Sequence, residues 1–66
     1  MKTINIKIKV LRLKLKITQA ELALKISIPQ STISKWENGK REPSINQLIT
    51  LAKFFKCTTD YLLGLE

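Results

Sequence analysis

Residues 4–17 alternate apolar and basic side chains in a pattern that fits two kinds of secondary structure. Steps of two suit a β-strand, but the alternation slips at Val10–Leu11. Helical steps instead place four residues on one apolar stripe: Ile4, Ile8, Leu11 and Leu15. Three others then form a second stripe on roughly the opposite side: Ile6, Val10 and Leu13. We predict a helix that buries one stripe and presents the other to its surroundings.

The next two elements have clearer boundaries. Thr18 with Glu21 has the form of a capping box, which predicts the start of a short second helix. The segment Ser27–Pro29 breaks that helix, because proline cannot extend a helix but suits the start of the next one. A third helix is therefore predicted from Gln30, ending at Asn38–Gly39, two residues that tolerate a left-handed cap.

The last part of the chain predicts two further helices. Ser44 with Gln47 forms a second capping box, and four apolar residues then share one helical face: Leu48, Leu51, Ala52 and Phe55. A short final helix is predicted over residues 59–63, closed by Gly64. Five helices with short links predict one compact all-α domain over residues 1–66.

The net charge of the chain indicates which classes of molecule it could bind. The 66-residue chain has twelve Lys and Arg against five acids, a formal net charge of +7. Such an excess attracts polyanions, so nucleic acid and anionic membranes are both candidates, beside a lysine-rich surface with no special partner. No run approaches the roughly 18 apolar residues that span a membrane, and no signal-peptide core is present. We expect a cytoplasmic protein.

Several kinds of chemistry are excluded by composition. The chain has one cysteine and no histidine, which rules out an internal disulfide and a zinc site of Cys and His ligands. It has no glycine-rich phosphate loop, and its few acids are scattered rather than paired. We expect no enzyme activity and no cofactor, metal or small-molecule ligand. Without a histidine to activate it, Cys57 is expected to pack in the core.

The second and third helices together predict a helix-turn-helix unit, two short helices joined by a tight turn. The third helix displays small, amide and basic side chains of the kinds that bond to base edges in the major groove. These candidate base-reading residues are Gln30, Ser31, Thr32, Ser34 and Lys35. An ordinary polar surface helix is the alternative interpretation of the same residues.

Longer motifs support the first interpretation. The segments Thr18–Ala23 and Ser31–Ser44 resemble the Cro/Xre family of phage repressors and bacterial regulators. Leu51–Lys53 and Asp60–Gly64 are similar to the closing pattern of that family, so the resemblance runs from about residue 8 to residue 64. It implies a lambda-repressor-like five-helix domain of bacterial or phage origin. The implied function is transcriptional regulation, most simply repression, with the third helix in the major groove of a palindromic operator.

The resemblance also implies roles for individual residues. Gln30, Ser31 and Lys35 match base-contacting positions, and Thr32 and Ser34 lie beside them. The positions matching phosphate contacts flank the reading helix: Thr18, Gln19, Asn38, Lys40 and Arg41. Arg12 and Glu37 match a pair that forms an internal salt bridge, which favours a structural role for both. Trp36 is expected in the core with Ile33 rather than stacked on a base.

The sequence departs from the family pattern at its turns. Lys16, Ser27 and Lys56 stand where glycine is common, so these residues are expected to adopt positive φ at some loss of stability. Pro29 replaces the usual Ser or Thr cap of the reading helix, which leaves the base register of Gln30 open.

A single reading helix makes few base contacts, so a two-fold homodimer on double-stranded DNA is expected. Two surfaces are candidates for the dimer contact, namely the C-terminal region around Tyr61 and Leu65, which we favour, and the second apolar stripe of helix one. An adaptor or antitoxin that keeps the helix-turn-helix as a scaffold is the alternative function. A membrane-surface peptide is disfavoured, because it would need none of the caps and turns after Thr18.

Overall fold

The chain folds as a bundle of five α-helices in a computed structural model that describes residues 2–66, with side chains from residue 3 onward. The helices are α1 Lys2–Lys14, α2 Gln19–Ile26, α3 Gln30–Glu37, α4 Ile45–Phe55 and α5 Thr59–Leu63. The described residues contain no strand, and the all-α prediction is confirmed. None of these helices is long and apolar enough to cross a membrane.

The predicted helix starts depend on side-chain caps that the structure contains. The Thr18 hydroxyl accepts a hydrogen bond from the Glu21 N–H, and the Glu21 carboxylate accepts one from the Thr18 N–H. Ser44 and Gln47 form the same reciprocal pair at the start of α4. Each box satisfies backbone donors that a helix leaves without an internal partner. The two boundaries predicted from these motifs are confirmed.

The first helix ends earlier than its apolar pattern predicts. Instead of continuing to residue 17, α1 ends at Lys14, and the chain turns through Lys16 with a φ of 57°. Leu15 therefore lies outside the helix and is half-exposed, so its place in the predicted buried stripe was wrong. The pattern overran the boundary because a left-handed lysine ends the helix without the glycine that usually marks such an end.

The core is small and draws on all five helices. Its buried apolar residues are Ile4, Ile8, Leu22, Ile33, Trp36, Leu51, Ala52 and Leu62. Trp36 is only 1% exposed, as expected for a core side chain rather than a base-stacking one. Cys57 packs against the edge of this core, and burial raises the pKa of its thiol, which favours the unreactive protonated form.

Among the described residues, five adopt the left-handed conformation at helix ends. Lys16, Ser27 and Lys56 each have a φ of 57°, which confirms the expectation drawn from their missing glycines. Gly64 has a φ of 77°, and a Cβ atom there would lie 2.7 Å from Cγ2 of Thr3, so this turn excludes a side chain. At the end of α3, which was expected at Asn38–Gly39, Gly39 is the left-handed residue, with a φ of 73°, and Asn38 is right-handed.

The left-handed lysine after α4 predicts a stabilising substitution. Lys56→Gly should raise the free energy of unfolding by about 1 kcal/mol, because glycine adopts this φ without the steric clash of a Cβ atom. The matched control is Lys53→Gly in the same helix, which should lower stability by about 1 kcal/mol. Urea unfolding followed by Trp36 fluorescence would measure both. Shifts of the same sign would contradict a conformational cause.

Candidate nucleic-acid interface

The helices α2 and α3 are joined by a three-residue turn that sets how they meet. Ser27 is left-handed, which reverses the chain direction directly after α2. The Ile28 N–H then donates to the Ala23 carbonyl over 3.1 Å, and the Ile28 side chain packs against the core. Pro29 fixes the backbone ahead of α3. The turn is thereby stabilised by a backbone hydrogen bond and by the packing of the Ile28 side chain against the core.

The two faces of α3 differ sharply in chemistry. Its inner face buries Ile33, Trp36 and Glu37. Ser31, Ser34 and Lys35 are spaced i, i+3 and i+4, so they share the opposite face of the helix. Of the predicted base-reading residues, Gln30, Ser31 and Lys35 are exposed, whereas Thr32 and Ser34 are half-buried. The structure therefore places all five on or beside the solvent-facing side of one helix.

The N-terminus of α3 carries no side-chain cap. Pro29 occupies the cap position and makes no side-chain hydrogen bond there. The N–H groups of Gln30 and Ser31, in the first turn, have no partner within the helix. Because a helix N-terminus also carries partial positive charge, these groups can donate to an anion or to a hydrogen-bond acceptor that approaches along the helix axis.

The loop after α3 folds back over the end of that helix. Gly39, with a φ of 73°, allows the N–H groups of Lys40 and Arg41 to donate to the Lys35 carbonyl over 2.9 and 3.3 Å. The side chains of Asn38, Lys40 and Arg41 are exposed, and no acid interrupts residues 38–41. A short, rigid turn thus presents two cations and an amide beside the exposed face of α3.

The predicted phosphate-contacting residues at the start of α2 have internal roles as well. The Thr18 hydroxyl caps the helix, as described above. The half-buried Gln19 side chain donates from Nε2 to Glu37 Oε1 over 3.1 Å. The Gln19 backbone N–H, in the first turn of α2, has no partner within the helix and can serve an anion. The bond between Gln19 and Glu37 was not foreseen from the sequence.

Arg12 and Glu37 form a salt bridge beneath this surface. Arg12 Nε donates to Glu37 Oε2 over 2.7 Å, and Nη2 donates to Oε1 over 3.0 Å. The third nitrogen, Nη1, donates to the Ile17 carbonyl over 2.8 Å. The two side chains are only 10% and 3% exposed, so water screens the pair little. This fork fixes the end of α3 against α1 in both distance and orientation.

A further contact and a pKa shift also involve this salt bridge at the end of α3. The hydrogen bond with Glu37 raises the pKa of the Arg12 guanidinium above its ordinary value, although burial acts in the opposite direction. Asn5 Nδ2 donates to the Glu37 carbonyl over 3.4 Å, a second link between α1 and the end of α3. Asn5 was not singled out from the sequence, and no motif marks it, because the contact spans 32 positions.

Comparison with known proteins identifies the family. The sequence profile of a family described as Helix-turn-helix matches residues 8–62, which is most of the chain. The chain belongs to this Cro/Xre-type helix-turn-helix family. The resemblance drawn from the motifs is therefore confirmed, and the family consists of DNA-binding transcriptional regulators rather than enzymes.

Family members with known roles include both activators and repressors. The HTH-type transcriptional activator BcrR of Enterococcus faecalis is 40% identical over 62 residues, covering 94% of this chain and 30% of BcrR. Repressor protein C2 of Salmonella phage P22 is 40% identical over 57 residues, covering 86% of this chain and 26% of C2. The chain spans less than half the length of the curated relatives that it matches.

A solved structure supports the fold at the level of the whole domain. The P22 c2 repressor in complex with a synthetic operator superposes with a TM-score of 0.88 at 36% identity, covering 96% of each chain. The solution structure of the c2 DNA-binding domain gives a TM-score of 0.83 at 38% identity, covering 91% of this chain and 79% of that one. The five helices thus form the helix-turn-helix fold of this family.

The buried salt bridge predicts a large effect on stability. Arg12→Met should lower the free energy of unfolding by about 3–5 kcal/mol, because it leaves the Glu37 carboxylate buried without its cation. The control is Lys14→Met, an exposed position on the same helix, where a change within about 0.5 kcal/mol is expected. Thermal and urea unfolding measure both variants. Similar effects at the two positions would show that the pair is not a structural link.

Proposed function

We propose that this protein binds double-stranded DNA sequence-specifically and regulates transcription, with α3 in the major groove. One observation carries the proposal, namely the close match, over 96% of this chain, to a repressor domain solved in complex with its operator. The polar outer face of α3, flanked by exposed donors on both sides, supports it independently. The net charge of +7 adds a field that draws the domain toward a polyanion.

The proposed reading residues divide by position on α3. Ser31 and Lys35 lie near the middle of the exposed face, where they can reach bases directly; lysine suits guanine, and serine suits several bases. Gln30 is exposed in the first turn, where its amide can bond to an adenine edge. Thr32 and Ser34 are half-buried and are proposed to contact the groove from its margins.

The proposed phosphate contacts lie on either side of this reading face. At the start of α2, Gln19 contributes chiefly its backbone N–H, whereas Thr18, whose own N–H is bound by Glu21, contributes its hydroxyl proton. In the loop after α3, Asn38, Lys40 and Arg41 contribute exposed side chains. Phosphate contacts on both sides of α3 would fix the register of this helix on the duplex. Such contacts position a protein on DNA but do not themselves select a sequence.

The size of the domain favours action as a homodimer. Successive major-groove half-sites lie about 34 Å apart, whereas the domain measures 28 Å along its longest axis. Two copies are therefore needed for two half-sites. We propose the C-terminal surface as their contact, because Leu65 is largely exposed there. Tyr61 contributes less of its ring, which lies 3.9 Å from Nζ of Lys7 in a cation–π contact.

Repression is the simpler form of regulation to propose. Occupying a promoter blocks transcription without further contacts, whereas activation needs an additional surface for polymerase. The relatives named above include a repressor and an activator, so the family accommodates both. Since those relatives come from a bacterium and a phage, whose DNA is transcribed in the bacterial cytoplasm, we infer that this protein acts there.

Selection of bound duplexes from a random DNA pool, repeated at two salt concentrations, tests the proposal. We expect enrichment of a palindrome whose half-sites are about one helical turn apart, because two copies of α3 would read the same sequence in opposite orientation. Binding without enrichment that collapses as salt rises would reduce the interaction to charge alone. The adaptor function would then be the better explanation of the fold.

The proposed base-reading residues and the proposed phosphate-contacting residues should respond differently to substitution. Gln30→Ala or Lys35→Ala should relax preference at one base position by about 1–3 kcal/mol, because each removes a base contact. Lys40→Ala should weaken binding to all sequences and reduce the slope of log affinity against log salt by about one. Lys53→Ala, an exposed lysine on α4, is the control for charge alone. If every substitution weakened binding equally on all DNA sequences, Gln30 and Lys35 would not be base-reading residues.

A further inference from the structure

The outer face of α1 carries an apolar row with no part in the core. Ile6, Val10 and Leu13 are 60%, 41% and 54% exposed and are spaced i, i+4 and i+7, so they form one line along the helix. The opposite side of α1 buries Ile4 and Ile8 against the bundle. A continuous apolar row on the surface of so small a domain is a feature of interaction surfaces rather than of solvated helices.

Basic side chains border this row. Lys9 and Lys14 are exposed and lie about 70° to either side of it at 3.6 residues per turn. The sequence of α1 contains no acid, and the guanidinium of Arg12 is turned inward to Glu37. The surface therefore combines an apolar line with cations on both flanks, and an occupant must match both features.

We propose that this face of α1 binds an amphipathic helix of an acidic protein partner. Leucine-like side chains on one face of such a helix would cover Ile6, Val10 and Leu13. Carboxylates beside them would meet Lys9 and Lys14. This is the usual arrangement when an amphipathic helix is recognised through anchors at i, i+3 or i+4, and i+7. Charge complementarity identifies the class of partner, and the apolar row sets its orientation.

A second copy of this chain fits the same face poorly. It would bring Lys9 and Lys14 of each copy together, and like charges across an interface are unfavourable. A stable dimer also needs about 800 Å² from each partner, a large share of the 4394 Å² that this domain exposes. A row of three side chains falls far short of that. An anionic membrane is also a poor match, since interfacial helices bury a broad apolar face rather than a single line.

Binding at this face leaves the exposed side of α3 uncovered, although Ile6 lies in the same cavity as Asn38 and Arg41 of the loop after α3. The row lies on the side of α1 opposite the residues that pack into the bundle, and α3 packs against α1 from within that bundle. A partner on α1 would therefore leave the base-reading face of α3 open, but it would lie beside the proposed phosphate-binding loop. The domain would then carry an acidic protein to the sites that it occupies.

The test uses the full chain and two synthetic peptides of identical composition. One peptide forms a helix with leucine along one face and glutamate on the other, and the second scrambles that order. Titration calorimetry should show the patterned peptide binding at least roughly tenfold more tightly. Equal binding of the two peptides would overturn the proposal, because it would mean that charge alone drives association.

Substitutions locate the site. The triple variant Ile6→Ser, Val10→Ser and Leu13→Ser should reduce binding of the patterned peptide to that of the scrambled one. Leu24→Ser, at an 83% exposed leucine on α2, is the matched control and should leave binding unchanged. DNA binding and unfolding should be unaffected in both. Should the triple variant unfold, Lys9→Glu with Lys14→Glu leaves the apolar row intact and should produce a comparable loss.

Two outcomes would assign the face to a different occupant and overturn the proposal. If the triple variant abolishes a dimer seen by sedimentation of the unaltered chain, the row binds a second copy. If the unaltered chain binds vesicles containing phosphatidylserine through this row but not the patterned peptide, the occupant is a membrane. Retained binding of the patterned peptide by a folded triple variant would likewise exclude α1 as its site.

Discussion

The carboxylate of Glu37 joins three helices at one buried point. It accepts hydrogen bonds from Arg12 on α1 and from Gln19 on α2, while its own backbone ends α3. Arg12 also donates to the Ile17 carbonyl just before α2 begins, so one guanidinium links the end of α3 to the approach to α2. Buried ion pairs contribute little net stability on average, because desolvation offsets their attraction. Here the pair fixes geometry, since the position of α3 relative to α2 determines which side chains would reach a groove together in the proposed complex with DNA.

The hydrogen bonds at Glu37 explain how such a small domain keeps the exposed face of α3 in a fixed position. Eight of the apolar residues that the structure describes are buried and form the core. A chain of this length buries only about 60% of its unfolded surface, so its margin of stability is small. Left-handed Lys16, Ser27 and Lys56 reduce that reserve further. The turn between α2 and α3 is nevertheless well supported, because Ile28 packs inward and its N–H closes the end of α2. Polar contacts thus fix the orientation of α3 in the bundle, whereas apolar burial alone would permit small rotations of this helix.

Local signals in the sequence predicted much of this structure. The capping boxes at Thr18 and Ser44 marked helix starts, because a cap is made by residues three apart that can be recognised directly. Family motifs identified the exposed face of α3 and the pairing of Arg12 with Glu37. Contacts between distant residues left no such pattern, which is why the bond from Gln19 to Glu37 was missed. The end of α1 was misplaced for a different reason: apolar periodicity continues through Leu15 and outweighed the family pattern, which marked Lys16 as a left-handed position.

The excess positive charge acts differently on the two sides of the molecule. Near α3 it strengthens attraction to a polyanion, the interaction that the proposed function requires. Around α1 the same sign of charge surrounds an exposed apolar row that would otherwise promote association between copies. Repulsion between lysines opposes that contact, which is consistent with the proposal that two copies meet at the C-terminal surface around Leu65. One net charge can therefore favour DNA, discourage aggregation through α1 and select acidic partners for that helix, provided that the apolar row stays narrow and its flanks stay basic.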